Sequence, residues 1–149
     1  MRIHIGSDHA GLDFKGIIIE HLKSQGHEVV DHGPLTLDPQ DDYPVFCIPV
    51  AQAVANEPGS LGIVLGGSGN GEQIAANKVK GIRAALVWNE ATAIAAREHN
   101  DANIMAIGGR MHKEGEAIAL VDLFLKTPFT NDARHIRRIK LISDFESNR

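Results

Sequence analysis

Residues 61–78 read Leu-Gly-Ile-Val-Leu-Gly-Gly-Ser-Gly-Asn-Gly-Glu-Gln-Ile-Ala-Ala-Asn-Lys, and this stretch decides the fold. The apolar run Leu61–Leu65 predicts a strand buried on both faces. Glycine, serine and asparagine fill positions 66–71, and an alanine-rich helical pattern opens at Glu72. A strand feeding a glycine-rich turn and then a helix makes a cradle for anions. Backbone N–H groups converge there, and the start of the helix adds partial positive charge. Glu72, in the first helical turn, places a carboxylate beside the cradle. That arrangement suits a base acting on a substrate that develops negative charge.

On either side of this stretch, short β-branched runs alternate with longer amphipathic ones. Strands are expected at Arg2–Gly6, Glu28–Asp31, Leu61–Leu65, Ile82–Val87 and Ile104–Gly108. Helices are expected at Ala10–Gln25, Val45–Asn56, Asn70–Val79, Glu90–Asn100, Lys113–Lys126 and Asn131–Phe145. The alternation predicts an α/β fold: a doubly wound, Rossmann-like, five-stranded parallel sheet with helices on both faces and an extra C-terminal helix. Ligands of such folds bind at the carboxyl ends of the strands. The turns Ser7-Asp8-His9, Gly66–Gly71 and Gly108-Gly109-Arg110 should therefore gather on one edge. Pro49 falls inside a helical run and is expected to kink it or delay its start.

The chain of 149 residues reads as one domain, 1–149, with 43% hydrophobic and 23% charged residues, ordinary for a globular protein. A formal charge of −4 argues against a general nucleic-acid partner, although residues 134–140 are locally basic. A single cysteine, Cys47, excludes an internal disulfide framework and reads as a small core residue. Neither a signal pattern nor a long apolar span is visible, so no membrane partner and a cytoplasmic location are expected. His4, His21, His27, His32 and His112 show no metal-ligand spacing; no metal and no cofactor are expected.

The glycine turn lacks the Gly-Lys-Ser/Thr ending of a nucleotide-binding P-loop. It also fails the dinucleotide fingerprint, because Glu72 occupies the third glycine position. Backbone donors of the turn can instead stabilise an oxyanion or carbonyl. A structural alternative is a tight turn with Ser68 or Asn70 as N-cap. Glu72 and Asp8 each have a similar alternative, the first as a favourable helix-start charge and the second as an N-cap. His99-Asn100 closes the fourth helix, where a cationic His and a terminating Asn are normal. His9, at the end of a buried strand, is harder to explain by packing. Arg134 and Arg138, four apart, share a helix face with His135 alongside Arg138. With Arg110 they make a phosphate clamp or, alternatively, a solvated face. Tyr43 precedes Pro44 near the pocket mouth and can hydrogen-bond a hydroxylated ligand.

Taken together, Gly6-Ser-Asp-His-Ala-Gly11, Asp41-Asp-Tyr-Pro44, Gly66–Gly71, Ile74-Ala-Ala-Asn-Lys78, Arg97-Glu-His-Asn-Asp101, Gly108-Gly-Arg110 and Arg134-His-x-x-Arg138 resemble the ribose-5-phosphate isomerase B family of sugar-phosphate isomerases. The resemblance spans almost the whole chain. It implies interconversion of ribose 5-phosphate and ribulose 5-phosphate in the non-oxidative pentose phosphate pathway. It also implies a homodimer, or a dimer of dimers, with active sites shared across the interface. Many family members carry a catalytic cysteine where this chain has Gly66. The sequence resembles instead an actinobacterial subgroup in which a glutamate at the position of Glu72 is the base.

By resemblance, the substrate cradle is Gly67, Ser68, Gly69, Asn70 and Gly71. His99, assisted by Ser68, opens the sugar ring, and Asp8 moves a proton between the C1 and C2 oxygens or holds the hydroxyls. His9, Arg110, Arg134 and Arg138 grip the phosphate, while Tyr43 and Asn100 bind the sugar. Within the family, a six-carbon substrate (galactose or allose 6-phosphate) or a four-carbon one is the nearest rival. A non-catalytic sugar-phosphate-binding protein is the rival from another class.

Overall fold

The computed structural model describes all 149 residues. Five strands form one parallel sheet: β1 (Arg2–Ser7), β2 (Glu28–Asp31), β3 (Leu61–Gly66), β4 (Ala84–Leu86) and β5 (Ile104–Gly108), in the order β2-β1-β3-β5-β4. Six helices connect and cover them: α1 (Leu12–Ser24), α2 (Pro44–Asn56), α3 (Asn70–Ala76), α4 (Glu90–Asn100), α5 (Glu114–Lys126) and α6 (Ala133–Ser147). The expected doubly wound parallel sheet is thus present.

Side chains of β3 and β5 alternate between two apolar layers. Ile63, Leu65, Met105 and Ile107 enter the layer with Ile18 and Leu22 of α1, Ala93 and Ala96 of α4, and Val121 and Phe124 of α5. Val64, Ile104 and Ala106 face the other side, against Cys47, Val50, Ala51 and Val54 of α2 and Ala75 and Ala76 of α3. Both faces are dry, which is why these strands read as unbroken apolar runs. The chain leaves β1 outward to β2, then crosses back through α2 to pair β3 on the other side of β1. The carboxyl ends of β1 and β3 diverge at that reversal, where ligands of open α/β sheets bind.

Several boundaries differ from expectation for local reasons. A 3₁₀ turn, His9–Gly11, precedes α1, because Asp8 caps it by accepting from the N–H groups of Ala10 and Gly11. Pro49 does not delay its helix, which starts earlier than expected, at Pro44, and runs through to Asn56. Proline is well suited to the first helical turn, and the internal one forfeits a single backbone bond while the buried face of α2 stays packed. After Ala76 the helix ends in tight turns, in which Lys78 and Val79 donate to Ala75 and Ala76 carbonyls, and Gly81 takes φ +84°. Strand β4 is consequently only three residues long, at the sheet edge, where the Asn77 side chain pairs with both backbone groups of Ala84. Asn131 takes φ +60°, so α6 starts at Ala133.

The segment 32–43, which links β2 to α2, is pinned at its start. The ammonium of Lys15, only 2% exposed, donates to both oxygens of Asp31 (2.7 and 2.9 Å) and to the carbonyl of Pro34 (2.6 Å).

Candidate active site

The carboxyl ends of β1, β3 and β5 converge as the sequence predicts. Asp8 N–H donates to the Leu65 carbonyl (3.2 Å), while Gly109 and Arg110 N–H groups donate to the carbonyls of Gly66 (2.7 Å) and Gly67 (3.1 Å). The end of β3 and the turn that follows it are thereby tied to both neighbouring turns. Gly69, not Ser68 or Asn70, is the N-cap of α3, at φ +87°. A side chain there would be strained by backbone conformation and would press on the backbone of Ile107. Ser68 Oγ instead accepts from the backbone and side-chain N–H groups of Asn70, at 3.2 Å each. With only seven residues in α3, its dipole is short. The cradle depends more on individual N–H groups than on the helix as a whole.

Glu72 is the best-enclosed acid of the site, 4% exposed. Its carboxyl lies over the α-carbon of Gly66: a β-carbon built at position 66 would stand 2.7 Å from Oε2 and nearer still to Oε1. Burial pushes the Glu72 carboxyl above the usual carboxylate range, and the negative charge of Asp8 adds to the rise. Its own backbone N–H and that of Gly69 oppose it. The sequence left the net direction open; the tertiary structure makes it upward.

Around Glu72 stand Asp8, 8% exposed, and Tyr43, whose phenol ring lies against Gly71. Arg110 extends over Gly67, with Nη1 3.4 Å from where a β-carbon at 67 would be. His9 Nδ1 is 2.7 Å from Asp41 Oδ1, which also accepts from the His9 backbone N–H at 3.0 Å. Asp8, His9 and Asp41 are the one group whose donor atoms lie close enough together, within 4.8 Å, to suggest a cation site. Two of its oxygens are already spent, Asp8 Oδ1 on Ala10 and Gly11, and Asp41 Oδ1 on His9. The group reads as a hydrogen-bonded one.

The other predicted residues form a second cluster. His99, exposed near the end of α4, stacks on His135 of α6 with ring centroids 4.7 Å apart and planes at 19°. His135 does not share the solvated face of its neighbours. It is 5% exposed, and burial with the adjacent Arg134 charge holds its imidazole below the usual histidine range. Arg134 and Arg138 are exposed on α6. Asn100 is the last residue of α4, and the left-handed residue that terminates the helix is Asp101, at φ +43°. The side chain of Asn100 is exposed, and its carbonyl accepts from Arg83 Nε at 2.8 Å. No hydrogen bond or ion pair links this cluster to Glu72, Asp8 or His9 within one chain. A cavity of about 640 Å³, lined by Asn77, Leu86, Ile142 and Phe145 among others, lies near β4 and α6 and does not include Glu72.

Cys47 is fully buried in α2, and burial with the charges of Glu72 and Asp8 pushes its thiol far up. It is a core residue, as its sequence position suggests. The sequence reading gave no role of their own to two side chains, Asp41 and His135. Asp41 lies in an acidic run, Asp38–Asp42, whose composition by itself suggests solvation. The buried side of α6 at His135 was masked by the basic residues around it.

Residues 3–142 match the sequence model of the family described as Ribose/Galactose Isomerase. The chain belongs to the ribose/galactose isomerase family. Its relatives include ribose-5-phosphate isomerase B of Mycobacterium tuberculosis, 58% identical over 146 residues that make up 98% of this chain and 90% of the relative. The crystal structure of ribose-5-phosphate isomerase B from Mycoplasma genitalium with bound ribulose-5-phosphate superposes with a TM-score of 0.96 at 47% identity, covering 99% of this chain and 97% of that one. The type B ribose 5-phosphate isomerase of Trypanosoma cruzi superposes with a TM-score of 0.94 at 38% identity over the full length of both chains. Members of the ribose/galactose isomerase family thus share this five-stranded architecture.

Proposed function

We propose that the protein is an aldose–ketose isomerase that interconverts ribose 5-phosphate and ribulose 5-phosphate, with Glu72 as the base. The observation that carries the proposal is the buried Glu72 carboxyl seated over Gly66, its affinity for protons raised. The name of the 58% identical relative and the sugar bound in the Mycoplasma genitalium structure support the substrate. Because the matching family's description also names galactose, hexose phosphates belong in the same assay.

The reaction takes a proton from C2 and returns one to C1 through a planar enediolate. One carboxylate can make both transfers on the same face of the sugar. Negative charge that develops on the carbonyl oxygen is met by N–H groups of the turn. Those of Ser68 and Gly71 make no hydrogen bond inside the chain and are free to donate. One such donor is worth about 3–4 kcal/mol in the transition state. Asp8 carries a proton between the C1 and C2 oxygens. His99, with Ser68, opens the furanose ring. His9, Arg110, Arg134 and Arg138 bind the phosphate, and Tyr43 and Asn100 bind the sugar hydroxyls. Binding energy at the phosphate also orients the reacting carbons.

Within one protomer His99, Asn100, Arg134 and Arg138 stand apart from the Glu72 cluster. A homodimer with shared sites would bring them together, the second cluster coming from the neighbouring subunit. Exposed apolar side chains beside the first cluster support this: Val45 next to Tyr43, Ile74 after Glu72 and Met111 after Arg110 are 59–65% exposed. Along α6, Leu141 and Phe145 are 62% and 71% exposed. A second copy would cover such surface. Function as a cytoplasmic enzyme of pentose phosphate metabolism follows from the same reading.

Subunit mixing tests base and sharing together. Glu72→Gln and Arg138→Ala proteins, each nearly inactive, are combined, allowed to exchange and assayed with ribose 5-phosphate. Random pairing leaves one intact site in every mixed dimer, so activity returns to about a quarter of wild type. No recovery despite exchange places Arg138 in the same subunit's site. Faster turnover of galactose or allose 6-phosphate than of the pentose would move the substrate assignment to hexoses.

A further inference from the structure

Asp41 has no part in the steps above, yet its side chain is only 8% exposed. One oxygen, Oδ2, is buried and receives no hydrogen bond. The other accepts twice from the same residue, at 3.0 Å from the His9 backbone N–H and 2.7 Å from His9 Nδ1. His9 is its sole ion-pair partner. Enclosing a carboxylate is costly unless its charge is matched. Here the match is one imidazole. Asp41 is also held in place, because its N–H donates to the Asp38 carbonyl (3.1 Å) while Asp38 Oδ1 accepts from Gln40 N–H (3.0 Å).

We propose that Asp41 is the positioning residue for His9: it fixes a proton on Nδ1, orients the ring, and so aims Nε2 at the substrate phosphate. An ionised carboxylate can only accept, so the 2.7 Å contact makes Nδ1 the donor. A neutral ring so held has a bare Nε2. The ring form that serves Asp41 and a phosphate oxygen together carries a proton on both nitrogens. Without Asp41 the ring can rotate, and its neutral form can place the proton on either nitrogen. The same arrangement, a carboxylate behind an imidazole, orients histidines that bind metals, where its loss costs 10- to 100-fold in affinity or activity. The role in phosphate binding rests on the isomerase reading above; the state of the ring does not.

Asp41→Asn keeps the shape and removes the charge. The KM for ribose 5-phosphate should rise roughly 10-fold with kcat within about 3-fold of wild type. Inhibition by inorganic phosphate should weaken by the same factor. In a His9→Gln background the second substitution should change KM less than about 2-fold. Nitrogen-15 NMR of the histidine rings reads the proton positions directly and needs no turnover. Wild-type His9 should show a protonated Nδ1, and Asp41→Asn should lose that signature. Unchanged KM, phosphate inhibition and ring spectrum would overturn the proposal, as would a loss confined to kcat and thermal stability. If Asp41→Asn does not fold, the wild-type spectrum decides, since a His9 ring protonated on Nε2 alone is incompatible with the proposal. Should the wild-type protein prove inactive on ribose 5-phosphate, the isomerase reading fails, while the ring spectrum and phosphate titration still judge Asp41.

Discussion

Replacing Gly66 with alanine puts one methyl group where the Glu72 carboxyl sits. The new β-carbon would stand 2.7 Å from Oε2 and closer to Oε1, against about 3.5 Å for comfortable contact of heavy atoms. The side chain must give way by about 1 Å or more. It can do so by turning toward solvent, which relieves the burial that raises its pKa. The protein should therefore fold, with its base displaced and less basic. A displacement of about 1 Å costs on the order of 100-fold in rate, and complete loss of a general base up to 10⁴-fold. That range is about 2.7–5.4 kcal/mol of transition-state stabilisation at 1.36 kcal/mol per decade. Groups assigned to the phosphate are untouched, so KM should stay within about 3-fold. Steady-state kinetics with ribose 5-phosphate give both constants, and thermal melting checks the fold. The same change in a Glu72→Gln background should cost nothing further, because the carboxylate it displaces is already gone. A Gly66→Ala enzyme with kcat within about 3-fold of wild type would refute both the placement of Glu72 and its role.

Glu72→Gln should lower kcat by about 10²- to 10⁴-fold and yet raise the melting temperature near neutral pH. The folded carboxyl has a pKa above its unfolded value, so the protein binds that proton more tightly when folded; the stability this confers is full in acid and lost as pH rises through the folded pKa. The gain from glutamine should thus appear above the folded pKa and vanish below about pH 4, and a pH-independent difference in melting temperature would contradict the shift. Lys15→Met, which leaves the Pro34 carbonyl without its donor and Asp31 with only the Gly33 N–H, should cost about 1–3 kcal/mol in urea unfolding and raise KM by loosening the segment that carries Asp41 and Tyr43. Cys47→Ala should leave kcat within about 2-fold, and thiol reagents should modify the native protein only at its unfolding rate; rapid inactivation by them would be unexpected for a buried thiol whose pKa is raised.

Much of the architecture was legible from hydrophobic period alone. Runs such as Ile63-Val-Leu and Ile104-Met-Ala-Ile mark strands covered on both faces, and both are central here. The edge strand was harder to read. Residues 82–87 are apolar enough for six strand positions, but the Asn77 side chain and the turn at Gly81 leave only Ala84–Leu86 in the ladder. Asp8 was ambiguous between cap and catalyst because the structural role uses one oxygen and leaves the other for chemistry. The burial of His135 could not be read. Neighbouring arginines mark a solvated helix face, and only the packing of α6 on α4 shows that this position turns inward onto His99.

What the sequence determined by itself is what lies close along the chain. A strand, a glycine turn and the carboxylate in the next helical turn are within twelve residues, so their proximity follows from covalent connection and local geometry. The crossover pattern then places three such turns at one sheet edge. Only the tertiary structure decided the contacts between distant segments. His9 meets Asp41 across 32 residues, and His99 meets His135 between two helices. Even the six-residue contact of Gly66 and Glu72 depends on how α3 is laid over the end of β3. Such contacts arise from strand register and from the angle at which helices pack. Many side chains set these jointly, so no single stretch of sequence displays them.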